Sequence, residues 1–221
     1  MVSQHSELVS IESDSAAMQG MLELPPDPVG VVLFAHGSGS SRLSPRNNYV
    51  AGELRKANMG TLLLDLLTPQ EDRNVSTRFN IGLLTERLGT AAEWLRHHAS
   101  TAALPLGLFG ASTGAAAALQ LAAARGPDVA AVVSRGGRPD MAGEQALDAV
   151  RAPTLLIVGG LDGEVIALNQ AAYRALHCEK RLDIIPGASH LFEEPGTLEA
   201  VAGFATDWFV RHFSNRSRSA T

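Results

Sequence analysis

Five residues, Gly110-Ala111-Ser112-Thr113-Gly114, fit the pattern G-x-S-x-G. An apolar run that reads as a strand, Pro105 to Phe109, leads into them, and an alanine-rich run that reads as a helix, Thr113 to Ala124, leads away. In that setting the pattern puts a serine hydroxyl on a sharp strand-to-helix turn at the carboxyl end of a sheet. Gly110 and Gly114 lack side chains, so strand and helix can close on the turn. The chemistry such a serine can do is nucleophilic attack on an acyl carbon. Its oxyanion would be met by the N–H of Thr113 at the helix start. The competing reading is an ordinary serine N-cap, a position that serine favours without any catalytic role.

A serine hydroxyl needs a base. In the order serine, acid, histidine, the base follows Ser112, which leaves His177, His190 and His212 of the seven histidines. His177 and His212 fall at the ends of predicted helices, where the macrodipole and water account for them. His190 lies in Pro186-Gly187-Ala188-Ser189-His190, directly after the last predicted strand and at the same sheet edge as Ser112. The acid should come at the end of an intervening strand. Asp162 follows Thr154 to Val158 through Gly159-Gly160-Leu161, and Asp140 follows the preceding strand as its rival. Asp162 is the preferred partner, able to accept the imidazole N–H and fix its tautomer.

A second glycine-rich turn, His36-Gly37-Ser38-Gly39-Ser40-Ser41, follows the strand Val31 to Ala35. It can aim a backbone N–H at the nucleophile. The amide of Ser38 is the expected second oxyanion donor, with Gly37 the alternative, and His36 is expected to shape the loop. Arg42 and Arg46 come next and, with Gly37, are candidate substrate-binding residues, because arginine suits bidentate carboxylate recognition. Bracing of the loop is the plainer role for both arginines, and Arg135 and Arg138 raise the same question. The glycines do not form a phosphate loop, since no G-x-x-x-x-G-K-[ST] occurs. No metal-ligand pattern such as H-E-x-x-H or C-x-x-C is present either, and Cys178, the one cysteine, has no elbow around it.

The elements that must position these residues can be read along the chain. Leu8 to Ile11 and Met21 to Leu24 predict two short strands around a turn, hence an antiparallel pair. Apolar strand runs then alternate with helical patterns: a helix from Tyr49 to Ala57, a strand from Thr61 to Leu64, and a helix from Asn80 to His98. In the last of these, Ile81, Leu84, Leu88, Ala92 and Leu95 form one stripe. Further strands are predicted at 129–133, 154–158 and 181–185, and helices at 143–149, 165–176 and 198–213. The alternation predicts an eight-stranded, mostly parallel sheet with helices on both faces. One domain over residues 1–213 is expected, with 214–221 a polar tail.

Composition agrees and excludes other classes. The 221 residues are 45% hydrophobic and carry a formal net charge of −5, which argues against nucleic acid as the main partner. No apolar stretch approaches the roughly 18 residues that span a bilayer. The N-terminal residues lack a basic region followed by an apolar one, so a cytoplasmic protein with neither a membrane nor a nucleic-acid partner is expected.

With His36-Gly37-Ser38-Gly39, Gly110 to Gly114, Gly160-Leu161-Asp162 and Gly187 to His190 in this order, the chain resembles the α/β-hydrolase superfamily, and within it the dienelactone hydrolase-like proteins. The resemblance implies the eight-stranded sheet, a Ser112–His190–Asp162 triad and no cofactor. Only Pro139 to Pro153 separates two late strands, too little for a large cap domain. Dienelactone hydrolases proper carry cysteine where this chain has Ser112, which shifts the expectation toward a serine carboxylesterase acting on small ester molecules. A thioesterase or acyltransferase would use the same site, and a non-catalytic ligand-binding protein would keep the fold alone.

Overall fold

A computed structural model describes residues 5–14 and 16–219, with side chains through 214. Eight strands form one sheet: β1 (His5–Glu12), β2 (Ala17–Leu24), β3 (Val31–Ala35), β4 (Gly60–Leu64), β5 (Leu106–Ala111), β6 (Val129–Arg135), β7 (Thr154–Gly159) and β8 (Lys180–Ile185). Their spatial order is β1-β2-β4-β3-β5-β6-β7-β8. β1 and β2 pair antiparallel, β2 meets β4 antiparallel, and every later pairing is parallel. The central strands β3 to β7 are buried along their whole length, as unbroken apolar runs covered on both faces require.

Helices α1 (Pro45–Lys56) and α7 (Thr197–Ser219) cover one face, where Val50, Leu54, Phe209 and Phe213 pack on Phe34, Phe109 and Val133. On the other face lie α3 (Ile81–His97), α4 (Thr113–Arg125), α5 (Glu144–Ala149) and α6 (Gly163–Ala175). Their core includes Leu84, Leu88, Ala116 and Leu119. Only a 3₁₀ turn (Pro139–Ala142) and the six-residue α5 connect β6 to β7, so no cap domain stands over the carboxyl edge of the sheet. No helix of the described residues is long and apolar enough to cross a membrane.

Several boundaries differ from the sequence expectation for local reasons. Helix α1 begins at Pro45, four residues before Tyr49, because Ser44 accepts the Asn47 N–H at 3.3 Å and proline occupies the first turn. The last helix passes Phe213 and continues through Ser219, so residues 214–219 are helical where a polar tail was expected. Neither glycine nor proline interrupts them. Residues 220–221 lie outside the described residues. The stretch after β4, expected to have no element, holds a 3₁₀ turn (Glu71–Arg73) and the four-residue α2 (Val75–Arg78).

That stretch is anchored by a charge inside the core. Arg87 of α3 is fully buried and donates to Leu66 O at 2.8 Å and to both carboxylate oxygens of Glu71 at 2.6 and 2.7 Å. Bonding to Arg87 holds the Glu71 carboxyl at about 2, below its ordinary 4.5, and the Thr68 amide and hydroxyl add to the effect. A carboxyl with a lowered folded pKa stabilises fully above the unfolded value, and that contribution fades as pH falls from about 4.5 toward 2. Glu71→Gln is therefore expected to cost about 2 kcal/mol at pH 7. In urea melts the gap from wild type should close as pH falls through that window. A gap unchanged at pH 3 would show that the charge contributes nothing.

Candidate active site

Ser112 ends β5 and starts α4, with φ 51° and ψ −122°. A non-glycine residue at positive φ is strained by about 1–3 kcal/mol. The bond from Ser112 N to Arg135 O on β6, at 3.2 Å, helps hold it there. Its side chain makes no cap hydrogen bond to α4, so the ordinary N-cap reading fails on geometry. Asp162 repeats the pattern: it occupies the N-cap position of α6, yet its carboxylate caps nothing. Instead Asp162 Oδ2 lies 2.6 Å from His190 Nδ1.

The contact between Asp162 and His190 joins two loops at the carboxyl edge. Gly160 N–H donates to Ile185 O at 2.8 Å and Leu161 N–H to Ala188 O at 2.9 Å, so the turn after β7 is bonded to the loop after β8. The Glu194 carboxylate accepts the Ser189 N–H at 2.9 Å, and this bond holds its pKa below the usual range. With Asp162 as acceptor, His190 carries its proton on Nδ1 and presents Nε2 as a base. The rival acid, Asp140, is held by Arg138 in two bonds of 2.9 and 2.7 Å. Asp162 is one-sixth exposed and His190 two-fifths, so the imidazole is accessible while its acid partner is largely buried.

The glycine loop after β3 abuts the serine. His36 is buried, donates through Nδ1 to Gly37 O at 2.9 Å and accepts the Leu66 N–H at Nε2 at 3.0 Å. Burial pushes its pKa down, and the neutral ring locks the loop onto the segment after β4. The Ser38 amide is not free, as had been expected for an oxyanion donor. It donates to Thr113 Oγ1 at 2.9 Å, because the hydroxyl at the first position of α4 reaches back across the turn. Among the described residues, the amides of Gly37 and Thr113 have no hydrogen-bond acceptor.

Gly37 lies against the nucleophile. A Cβ added there would sit 2.9 Å from Ser112 Cβ and 3.2 Å from Ala111 O. Gly37→Ala should push the loop off the elbow, lowering the melting temperature and also cutting kcat by about 10²-fold, the effect of losing one oxyanion donor. Equal kcat in the variant would place the second donor elsewhere.

The expected basic edge divides. Arg42 is not available for a substrate carboxylate, since Asp65 takes both its backbone N–H, at 2.6 Å, and its guanidinium. Arg46 pairs with Glu193 at 3.2 Å, a carboxylate that is largely exposed. Arg135, at the end of β6, is buried, and its backbone carbonyl is the one that accepts the Ser112 N–H. Sequence reasoning raised it but gave it no site, since a lone arginine at a strand end carries no periodic signal. A cleft of about 320 Å³ runs beside the glycine loop, lined by Ser40, Ser41, Arg42, Asp65, Leu67 and Thr68.

The dienelactone hydrolase family matches residues 53–213, a span that includes Ser112, Asp162 and His190. This chain belongs to that family. A crystal structure of dienelactone hydrolase from Anabaena variabilis is 53% identical, covering 95% of this chain and 98% of its own, with a TM-score of 0.90. Est1E from Butyrivibrio proteoclasticus shares the fold at 14% identity and a TM-score of 0.80, covering 94% of this chain and 99% of its own. A Mycobacterium tuberculosis protein provisionally named a phosphoribosyl transferase is 54% identical over 206 residues, 93% of this chain. That alignment takes up 46% of the mycobacterial protein, so this dienelactone hydrolase family chain spans under half the length of that relative.

Proposed function

We propose that this α/β hydrolase is a serine carboxylesterase that cleaves small to medium esters through an acyl-enzyme. The observation that carries the reading is the pair of helix starts whose side chains cap nothing. Ser112 is held at positive φ on the elbow, and Asp162 is bonded to His190 at 2.6 Å. Ser112 Oγ attacks the acyl carbon as its proton passes to His190 Nε2, and Asp162 stabilises the imidazolium. The tetrahedral oxyanion is held by the Thr113 N–H and by the Gly37–Ser38 segment. Gly37 is the readier donor there, because Ser38 must first leave Thr113 Oγ1. His190 then protonates the leaving alcohol, and a water activated by the same nitrogen releases the acid.

Among the described residues, Ser112 Oγ and His190 Nε2 make no hydrogen bond, and the contact is expected to close when substrate binds at the elbow. Family membership supports hydrolysis over the non-catalytic reading. What the mycobacterial protein does as a whole is not carried over to a chain that spans under half of it. A thioester or an acceptor alcohol would meet the same machinery, and partition of the acyl-enzyme between water and added alcohol distinguishes them. The direct test is p-nitrophenyl acetate hydrolysis by wild type and Ser112→Ala. A loss of about 10³-fold or more is expected, and wild-type turnover by the variant would end the reading.

A further inference from the structure

Among the described residues two arginines are buried, and their surroundings differ in one respect. Arg87 has Glu71. Arg135, 8% exposed, has no carboxylate partner, and its Nη1 is closed off from water without a hydrogen bond. An uncompensated buried guanidinium is costly unless an anion arrives to meet it.

Its position is close to the reacting groups. The Arg135 carbonyl accepts the Ser112 N–H, and the next residue, Gly136, backs onto the His190 loop. A Cβ at Gly136 would be 3.2 Å from His190 O and 3.5 Å from the Phe192 ring. By strand alternation the Arg135 side chain shares the sheet face of Val133, the face that α1 and α7 cover. Arg46, the second residue of α1, adds its charge, and its own Nε is buried without a partner. The two charges sense one another: burial first, and then Arg46, bring Arg135 down to about 10, which leaves it protonated at neutral pH. The first turn of α1 contains no acidic residue, so the helix start adds to the positive field. Glu193 is the acid that reaches this pair, and it does so from the exposed rim, on Arg46.

We infer that Arg135 and Arg46 form an anion subsite beside Ser112 that takes a phosphate monoester group carried by the substrate. Two guanidiniums, of which Arg46 alone has a rim carboxylate, suit a dianion with three free oxygens better than a carboxylate with one charge. The inference rests on the esterase reading for its place in catalysis, but binding can be measured apart from turnover.

Inorganic phosphate and acetate are titrated calorimetrically into wild type, Arg135→Met, Arg135→Lys and Glu193→Gln, each checked by thermal melting. Phosphate should bind wild type more tightly than acetate does. Arg135→Met should weaken phosphate roughly tenfold or more, Arg135→Lys should weaken it less, and Glu193→Gln, at an exposed position, should tighten it a few-fold by freeing Arg46. Should Arg135→Met fail to fold, the lysine and Glu193 variants carry the test. Phosphate binding that is absent at millimolar concentration or indifferent to these variants overturns the subsite, and acetate binding as tightly overturns the dianion class. Fluorophosphonate labelling of Ser112 is run alongside. Labelling without Arg135-dependent phosphate binding removes the subsite alone, whereas Arg135-dependent binding without labelling removes the esterase reading alone.

Discussion

Asp162→Asn is expected to slow ester turnover about 10⁴-fold while the protein melts near the wild-type temperature. The carboxylate now accepts the His190 Nδ1–H at 2.6 Å, which leaves Nε2 unprotonated and able to take the serine proton. An asparagine amide of the same shape would donate to Nδ1 and drive the proton to Nε2, the wrong tautomer for a base. It would also remove the negative charge that steadies the imidazolium. Asp162 makes no cap bond to α6, so the helix loses nothing by the change. Activity and melting measured on one preparation separate the two effects. A kcat within tenfold of wild type would show that Asp162 does not set the state of His190.

The second large effect is on folding. Gly114→Ala is expected to destabilise the protein by about 3 kcal/mol or more, beyond an ordinary overpacked methyl. An added Cβ would lie 2.5 Å from His36 O and nearer still to Ala35 O. Both are backbone atoms at the end of β3, so no rotamer change relieves the clash. Either α4 must move off the sheet or the glycine loop must shift, and the residues after Gly114, Ala115 to Ala118, are fully buried and leave α4 no room. Urea titration reads the loss, and a wild-type midpoint would mean that elbow and glycine loop are not in contact.

Much of this site could be read from the sequence because chemistry and secondary structure share its signals. Ser112, Asp162 and His190 each follow an apolar strand run in an order that a parallel sheet brings to one edge. The central strands were equally plain, since burial on both faces makes them continuous in apolar residues. What the sequence left hidden depended on contacts distant along the chain. The bond between Ser38 N–H and Thr113 Oγ1 spans 75 positions, and nothing in either segment alone announces it. Arg87 lies among the apolar stripe residues of α3 and reads as a boundary charge until Glu71 is seen to meet it inside. Arg135 shows its character only through the carboxylate it lacks. The start of α1, by contrast, is read too late at Tyr49 although Ser44-Pro45, an N-cap followed by proline, carries a local signal for it.

The central claim is a covalent acyl-enzyme on Ser112. Intact and peptide mass spectrometry after exposure to a fluorophosphonate tests it most directly. The account predicts one adduct per chain, located on the peptide containing Ser112, formed slowly or not at all in His190→Ala and absent in Ser112→Ala. An unmodified wild-type protein, or an adduct on any other residue, would contradict it.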